Sequence, residues 1–154
     1  MSWSSSLKTT PRTEAGAGPA AGQEPVVTTM KLPAARILVI DDDRAVVRLL
    51  VVRLGEDDYM VRSAMTSEEG LELVTSFRPD LVLLDVSLPD LSGLEVLKRI
   101  RAINPAIAVV MVTGNTDAQR AREALELDAV AYVDKPFDYA YLKRVVAMAL
   151  QHGA

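Results

Sequence analysis

The sequence predicts an α/β protein built on a parallel sheet of five strands with intervening helices. From Ala35 onward, five apolar runs alternate with amphipathic stretches, which is the pattern of repeated strand and helix units. The runs Leu81–Leu84 and Ala108–Val112 have no polar residue, as expected for parallel strands that are buried on both faces.

Strands are predicted in the apolar runs, and helices fill the gaps between them. The predicted strands are Arg36–Ile40, Met60–Ala64, Leu81–Leu84, Ala108–Val112 and Ala131–Val133. The predicted helices are Arg44–Leu54, Ser67–Phe77, Gly93–Ile103, Asp117–Leu125 and Tyr139–Gln151.

Local signals support several of these helices. Thr66 and Glu69 form a capping box at the start of the second helix. Asp43 and Asp90 are each expected to cap a helix N-terminus. The last helix has an inward stripe at helical spacing, which we expect in the core: Leu142, Val145, Val146 and Ala149.

The first helix is unusually apolar. Four of its side chains suffice for the core: Val46, Leu49, Leu50 and Leu54. Val47 and Val51, one turn apart, are expected to form a second stripe on the outer face. Single surface valines are ordinary, but a pair of them favours a docking surface for a partner.

Composition limits the class of protein. The 154 residues, 49% of them hydrophobic, are enough for one well-buried domain. The net charge of −4, without a basic cluster, argues against a nucleic-acid surface. Cysteine is absent, which excludes disulfides and thiolate metal sites. No apolar segment approaches the roughly 20 residues of a membrane span and no signal peptide is evident, so we expect a cytoplasmic protein that does not enter a membrane.

Residues 1–33 are expected to form a disordered tail and residues 34–152 the folded domain. The tail contains Ser, Thr, Gly and Ala in no periodic order, with few large apolar side chains. Met30 directly precedes Lys31-Leu32-Pro33, shortly before the first strand, and we hypothesise that it is the native start. The intact mass of the protein from its own source would test this hypothesis.

Acidic side chains follow two of the predicted strands. Asp41 and Asp42 end the first strand region, Asp85 ends the third, and Thr113 ends the fourth. The carboxyl ends of parallel strands meet at one edge of a sheet, so these side chains should converge. Clustered carboxylates repel one another and need a cation, and Mg²⁺ is the ion that fits oxygen ligands with open positions. Zinc is not expected, because no His or Cys lies nearby in the sequence.

Two further groups belong to the same edge. Lys135 follows the fifth apolar run, where its ammonium can pair with Asp85 or with a phosphoryl oxygen; a surface salt bridge is the simpler alternative. Thr113 and Gly114 place a hydroxyl and an unshielded backbone N–H beside the acids.

The segment Asp85–Gly93 resembles the phosphoacceptor loop of response regulator receiver domains, and Lys135-Pro136-Phe137 resembles the lysine–proline–phenylalanine signature of that family. The resemblance extends over roughly residues 35–152. It implies a doubly wound, flavodoxin-like sheet in the order 2-1-3-4-5 with five helices. It also implies a cis Lys135–Pro136 bond.

The resemblance further implies a phosphoacceptor that assists its own phosphorylation and dephosphorylation, and not an enzyme. Asp85 would receive a phosphoryl group from a histidine kinase or a histidine phosphotransfer protein. The implied Mg²⁺ ligands are Asp42, Asp85, the backbone carbonyl of Ser87 and, through water, Asp41. The implied phosphate-binding groups are Thr113, the Gly114 N–H and Lys135.

Signalling in the family depends on a threonine and an aromatic residue, which correspond here to Thr113 and Tyr132. Their movement would change the face formed by the fourth helix, the fifth strand and the fifth helix, which an unidentified protein target would bind. Val47 and Val51 lie on the helix that the family uses for kinase docking.

A few positions depart from the family or carry no clear role. Asp58 and Asp128 stand where receivers usually have glycine, and aspartate tolerates a left-handed backbone. Ser87 and Asn115 occupy positions that set the phosphate lifetime, which the sequence does not give. His152 is expected only to complement the dipole of the last helix.

Other functions fit less well. A phosphatase of the haloacid dehalogenase type would have a second aspartate at Ser87, and a nucleotide binder would have a glycine-rich loop after the first strand. The sequence ends soon after the fifth helix, so we expect a stand-alone receiver; a receiver fragment of a longer regulator is the alternative.

Overall fold

The structure is a computed structural model that describes residues 33–114 and 118–153. The predictions for the N-terminal tail, for Met30 and for Asn115 fall outside these residues, as does the one for the side chain of His152. No helix in the described ranges is long and apolar enough to cross a membrane.

Five strands and five helices alternate along the described chain. The strands are β1 (Arg36–Ile40), β2 (Met60–Ala64), β3 (Leu81–Leu84), β4 (Ala108–Thr113) and β5 (Ala131–Asp134). The helices are α1 (Arg44–Glu56), α2 (Ser67–Ser76), α3 (Gly93–Ile103), α4 (Ala118–Glu126) and α5 (Tyr139–Gly153). The predicted elements are all present, and the described bounds differ from the predicted ones by at most two residues. The predicted first residue of α4, Asp117, lies outside the described residues.

The strands form one parallel sheet in the order β2-β1-β3-β4-β5, which confirms the doubly wound, flavodoxin-like fold. Ile40 of β1 pairs with Leu84 of β3, so the residues that follow them, Asp41 and Asp85, leave the sheet side by side. The register of the sheet therefore brings together two acids that are distant in the sequence.

Side chains that alternate along the central strands form two separate apolar clusters. Ile37 and Val39 of β1 lie in one cluster with residues of α1 and α5. Leu38 and Ile40 lie in the other, with residues of α2, α3 and α4. The predicted stripe of α5 is confirmed as buried: Leu142, Val145, Val146 and Ala149.

The predicted orientation of α1 is wrong for two of its residues. Leu49, expected in the core, is 40% exposed, whereas Val47, expected on the outer face, is half-buried and packs against the core. Val51 is half-buried, and Val52 is 51% exposed. The buried stripe runs through Val47, Leu50 and Leu54, at spacings of three and four residues. The run of consecutive apolar residues left the phase of this stripe ambiguous in the sequence.

The helix caps agree with the sequence except at one position. Asp43 caps α1 by accepting a hydrogen bond from the N–H of Ala45 at 3.0 Å. Ser92, which is closer to α3 than Asp90, is the residue that caps α3. Asp90 instead binds amides in the first turn of α2.

The backbone at the two aspartates that replace family glycines is left-handed. Asp58 has a φ of 70° and Asp128 a φ of 71°, which confirms that these turns form without glycine. Arg78, with a φ of 54°, adopts the same region, although no signal in the sequence indicated it.

Candidate functional site

Three polar side chains are buried at the carboxyl edge of the sheet. Asp41, Asp85 and Thr113 are 2%, 5% and 1% exposed. Within the described residues, Ser67 is the only other polar side chain that is buried to this degree. Such groups are costly to bury without partners, so their concentration marks this edge as the candidate site.

The predicted acidic cluster is formed by Asp41, Asp42 and Asp85. Oxygen atoms from the three carboxylates lie within 4.8 Å of one another, and Asp42 is the exposed member. The backbone orients the two buried carboxylates: Asp43 N–H donates to Asp41 at 2.9 Å, and Ser87 N–H donates to Asp85 at 3.1 Å. Each acid is thus held by the residue two positions after it.

Lys135 joins the cluster from the end of β5. Its Nζ lies 2.7 Å from Asp41 Oδ2 and 3.3 Å from Asp85 Oδ2, so the predicted contact with Asp85 is present but the contact with Asp41 is shorter. The Lys135 N–H donates to the carbonyl of Thr113 at 2.9 Å, and the Lys135–Pro136 bond is cis, as predicted.

Two groups of this cluster, Asp41 and Lys135, have shifted pKa values. Burial raises the pKa of Asp41 to about 6, although the hydrogen bond from Lys135 opposes the change. Burial alone would lower the pKa of Lys135, but its bonds to Asp41 and Asp85 outweigh burial and raise that pKa. The Lys135 ammonium pairs with two of the three carboxylates, Asp41 and Asp85, so the cluster can accept a second cation.

The cluster fits a magnesium ion. Mg²⁺ accepts carboxylate and carbonyl oxygens and keeps several waters in its coordination shell. Carboxylate oxygens that lie within 4.8 Å of one another could hold such an ion directly or through one of its waters. The donors are all oxygens, which favours a hard divalent cation over zinc.

The loop between β3 and α3 carries a constraint that the sequence analysis missed. A Cβ atom at Gly93 would collide with the backbone carbonyl oxygen of Asp85, and the Gly93 N–H donates to the Val86 carbonyl at 2.7 Å. A glycine here lets α3 begin directly against the backbone of the candidate nucleophile. At Gly114, by contrast, an added Cβ would make only an ordinary contact with Lys135.

The other predicted residues lie outside the acidic cluster. Tyr132 on β5 is half-buried against the second apolar cluster and lines a depression of about 300 Å³ with Phe137 and Tyr141. Val47 and Val51 lie on α1, as described above.

A second polar network links α1 to α5 and was also missed. The Tyr139 hydroxyl donates to Asp57 at 2.8 Å, and Lys143 Nζ lies 3.1 Å from the same carboxylate. The Arg53 guanidinium lies over the Tyr139 ring, 4.4 Å from its centroid. The first pair is 82 residues apart, so no local pattern indicated it.

Comparison with known proteins agrees with this geometry. A family model described as the response regulator receiver domain matches residues 37–147. Sporulation initiation phosphotransferase F of Bacillus subtilis is 34% identical over 111 residues, or 72% of this chain and 90% of that protein. The transcriptional regulatory protein ZraR of Escherichia coli is 38% identical over 116 residues, or 75% of this chain but only 26% of that protein.

A solved structure supports the same relationship. The response regulator receiver domain protein (CheY-like) from Methanospirillum hungatei JF-1 has a TM-score of 0.75 and 31% sequence identity to this chain, and the match covers 78% of this chain and 96% of that one. The family model, the curated relatives and the fold therefore agree. This chain belongs to the response regulator receiver domain family, the phosphoacceptor domains of two-component signalling.

Proposed function

We propose that Asp85 is the phosphoacceptor of a Mg²⁺-dependent phosphoryl transfer. The observation that carries the proposal is the position of this carboxylate, which is buried, bound by the Ser87 N–H and Lys135, and clustered with Asp41 and Asp42. Aspartate is a weak nucleophile unless nearby groups orient it and neutralise the incoming phosphoryl group.

In the proposed reaction, a carboxylate oxygen of Asp85 attacks the phosphorus of a partner phosphohistidine. The P–N bond breaks, its electron pair stays on the imidazole, and solvent protonates the departing ring. Lys135, the Thr113 hydroxyl and the Gly114 N–H bind the phosphoryl oxygens. Mg²⁺ would be held by Asp42, Asp85 and the Ser87 carbonyl, with Asp41 acting through water, and would neutralise charge on the transferred group.

An intact-mass measurement tests this proposal. Wild-type protein incubated with acetyl phosphate and MgCl₂ should gain the mass of one phosphoryl group, and the gain should disappear with EDTA or in Asp85→Asn. Asp134→Asn, which changes an exposed acid at the end of β5, is the matched control and should gain the same mass. A gain that persists in Asp85→Asn contradicts the assignment.

The proposed output is a change in the surface formed by α4, β5 and α5. Phosphorylation would draw Thr113 toward the phosphate and turn Tyr132 inward, which alters the depression beside Phe137 and Tyr141 for a downstream protein. We propose a cytoplasmic, stand-alone role in a relay. The match over 90% of sporulation initiation phosphotransferase F supports that role, whereas the 26% coverage of ZraR is what a receiver within a longer regulator would give.

The proposed docking surface for the kinase or phosphotransfer protein is the outer side of α1. Val51 stays in this surface, and the exposed side chains of Leu49 and Val52 extend it, whereas Val47 packs mainly against the core. Val52→Asp should slow phosphotransfer from the cognate donor and leave phosphorylation by acetyl phosphate unchanged. Ile103→Asp, at a similarly exposed position on α3, is the control. Equal phosphotransfer rates for the two variants would rule out docking at Val52.

A further inference from the structure

We propose that Asp90 is a positioning residue for the metal and phosphoryl site, because it fastens the loop that carries Asp85 and Ser87 to the N-terminus of α2. The inference rests on the proposed function of Asp85. One carboxylate oxygen of Asp90 accepts from the Ser67 N–H at 2.9 Å, and the other accepts from the Glu68 N–H at 3.1 Å. The two bonds clamp the loop at a point three residues after Ser87.

The local caps of α2 do not use the two amides that Asp90 binds. Thr66 Oγ1 accepts from the Glu69 N–H at 3.2 Å, and Glu69 Oε1 accepts from the Met65 N–H at 3.1 Å. These bonds are local, as in a capping box. The bonds to Asp90 instead join residues 22 and 23 positions apart, so they constrain the loop relative to the helix.

The charge of Asp90 suits this role. The hydrogen bond from the Ser67 backbone, followed by one from the Ser67 side chain, lowers the pKa of Asp90 to about 2. The carboxylate is therefore ionised at neutral pH and lies at the positive end of the α2 dipole. Charge-assisted hydrogen bonds to two successive amides fix the orientation of the Asp90 carboxylate relative to α2.

The loop needs a defined position because of what it carries. At its other end it is held by the Gly93 N–H, which donates to the Val86 carbonyl. Between the two anchors lies Ser87, whose carbonyl is the proposed metal ligand. Mg²⁺ demands near-ideal octahedral geometry, and a misplacement of about 1 Å can cost roughly a hundredfold in rate. Release of the clamp should therefore weaken metal binding.

The test measures the dissociation constant of MgCl₂ by isothermal titration calorimetry, together with the rate of phosphorylation by acetyl phosphate. Asp90→Ala should raise the constant about tenfold, the usual size of an outer-shell effect on a metal site. Asp90→Asn keeps one acceptor oxygen and should stay within about threefold of wild type. The matched control is Asp80→Ala, because Asp80 accepts a bond from the Arg36 N–H at 2.8 Å at the opposite end of β3.

The outcomes separate the clamp from the proposed function. If Asp90→Ala binds Mg²⁺ like wild type while its unfolding midpoint falls, Asp90 is a structural cap and the inference is wrong. Equal losses of Mg²⁺ affinity in Asp80→Ala and Asp90→Ala also overturn it, because the effect is then general. A wild-type protein that neither binds Mg²⁺ nor accepts a phosphoryl group overturns the proposed function, and the clamp with it.

Discussion

Lys135 lies closer to Asp41 than to the candidate nucleophile Asp85. Its Nζ is 2.7 Å from an oxygen of Asp41 and 3.3 Å from one of Asp85. Burial raises the pKa of Asp41, which means that its buried carboxylate needs a counter-charge, and the Lys135 ammonium supplies one. In the absence of a metal, Lys135 therefore acts as the cation of the cluster.

Removal of that ammonium should destabilise the protein. Lys135→Met leaves the buried Asp41 carboxylate without its partner and should lower the free energy of unfolding by about 1–3 kcal/mol, measured with urea in EDTA. Lys143→Met is the control, because Lys143 pairs with Asp57 at a more exposed position, where loss of the pair should cost clearly less stability. Equal losses in the two variants would show that Lys135 is an ordinary surface ion pair.

Magnesium should stabilise the wild-type protein through the acidic cluster. A free Mg²⁺ concentration of a hundred times the dissociation constant adds about 2.7 kcal/mol to the free energy of unfolding. Asp42→Asn should lose this increment, yet be at least as stable as wild type without metal because one repelling carboxylate is gone. Thermal unfolding with and without MgCl₂ checks both statements, with Asp134→Asn as the control. An unchanged magnesium effect in Asp42→Asn would exclude this cluster as the site.

Gly93→Ala should damage both the fold and the phosphoacceptor. The new methyl group would collide with the Asp85 carbonyl, and overpacking of this kind costs about 1–3 kcal/mol. Gly55→Ala is the matched control: beyond its chain neighbours and the backbone of α1, no atom would lie within 4 Å of the new Cβ, and alanine in a helix is favoured over glycine by about 0.5–1 kcal/mol. The free energy of unfolding, measured with urea, should fall in Gly93→Ala and rise in Gly55→Ala. Similar shifts would contradict the close approach at Gly93.

The network between α1 and α5 predicts a pH dependence. The Tyr139 hydroxyl, and next the Lys143 ammonium, lower the pKa of Asp57 from 3.8, so the folded protein binds this proton less readily than the unfolded chain. The stability that results is present above pH 3.8 and is lost as the pH falls through the lower folded-state pKa.

Tyr139→Phe removes the first cause of this shift. The free energy of unfolding should therefore fall less steeply between neutral and acid pH in this variant than in wild type. Urea unfolding at several pH values measures the slope. Tyr141→Phe, a change at a 47% exposed position on the same helix, should keep the wild-type slope. A wild-type slope in Tyr139→Phe would show that the hydrogen bond to Asp57 does not control its titration.

Much of the fold can be predicted from the sequence, because each buried strand of a parallel sheet is a continuous apolar run of neighbouring residues. The runs that end at Ile40, Leu84 and Thr113 mark three strands, and their carboxyl ends predict the edge where the acids meet. The acidic cluster of Asp41, Asp42 and Asp85 could therefore be predicted from the sequence, because each acid directly follows a strand and the strands are parallel.

The sequence does not show which face of a helix is buried or which distant residues become partners. The apolar run of α1 fits more than one helix face, and only packing against the sheet decided that Val47 turns inward and Leu49 outward. The local sequence predicts that Asp90 caps the helix that follows it, whereas in the folded protein its carboxylate binds the first turn of α2.

The sequence by itself determined the five strand and helix units, the identity of the acids, threonine and lysine at the sheet edge, and the family resemblance they carry. The tertiary structure decided which acid Lys135 binds most closely, why residue 93 must be glycine, and which helix Asp90 holds. The physical reason is range. Propensity, periodicity and strand ends are local properties, whereas the partners of Lys135 and Asp90 lie 94 and 23 residues away and meet only when the sheet register and the loop path are set.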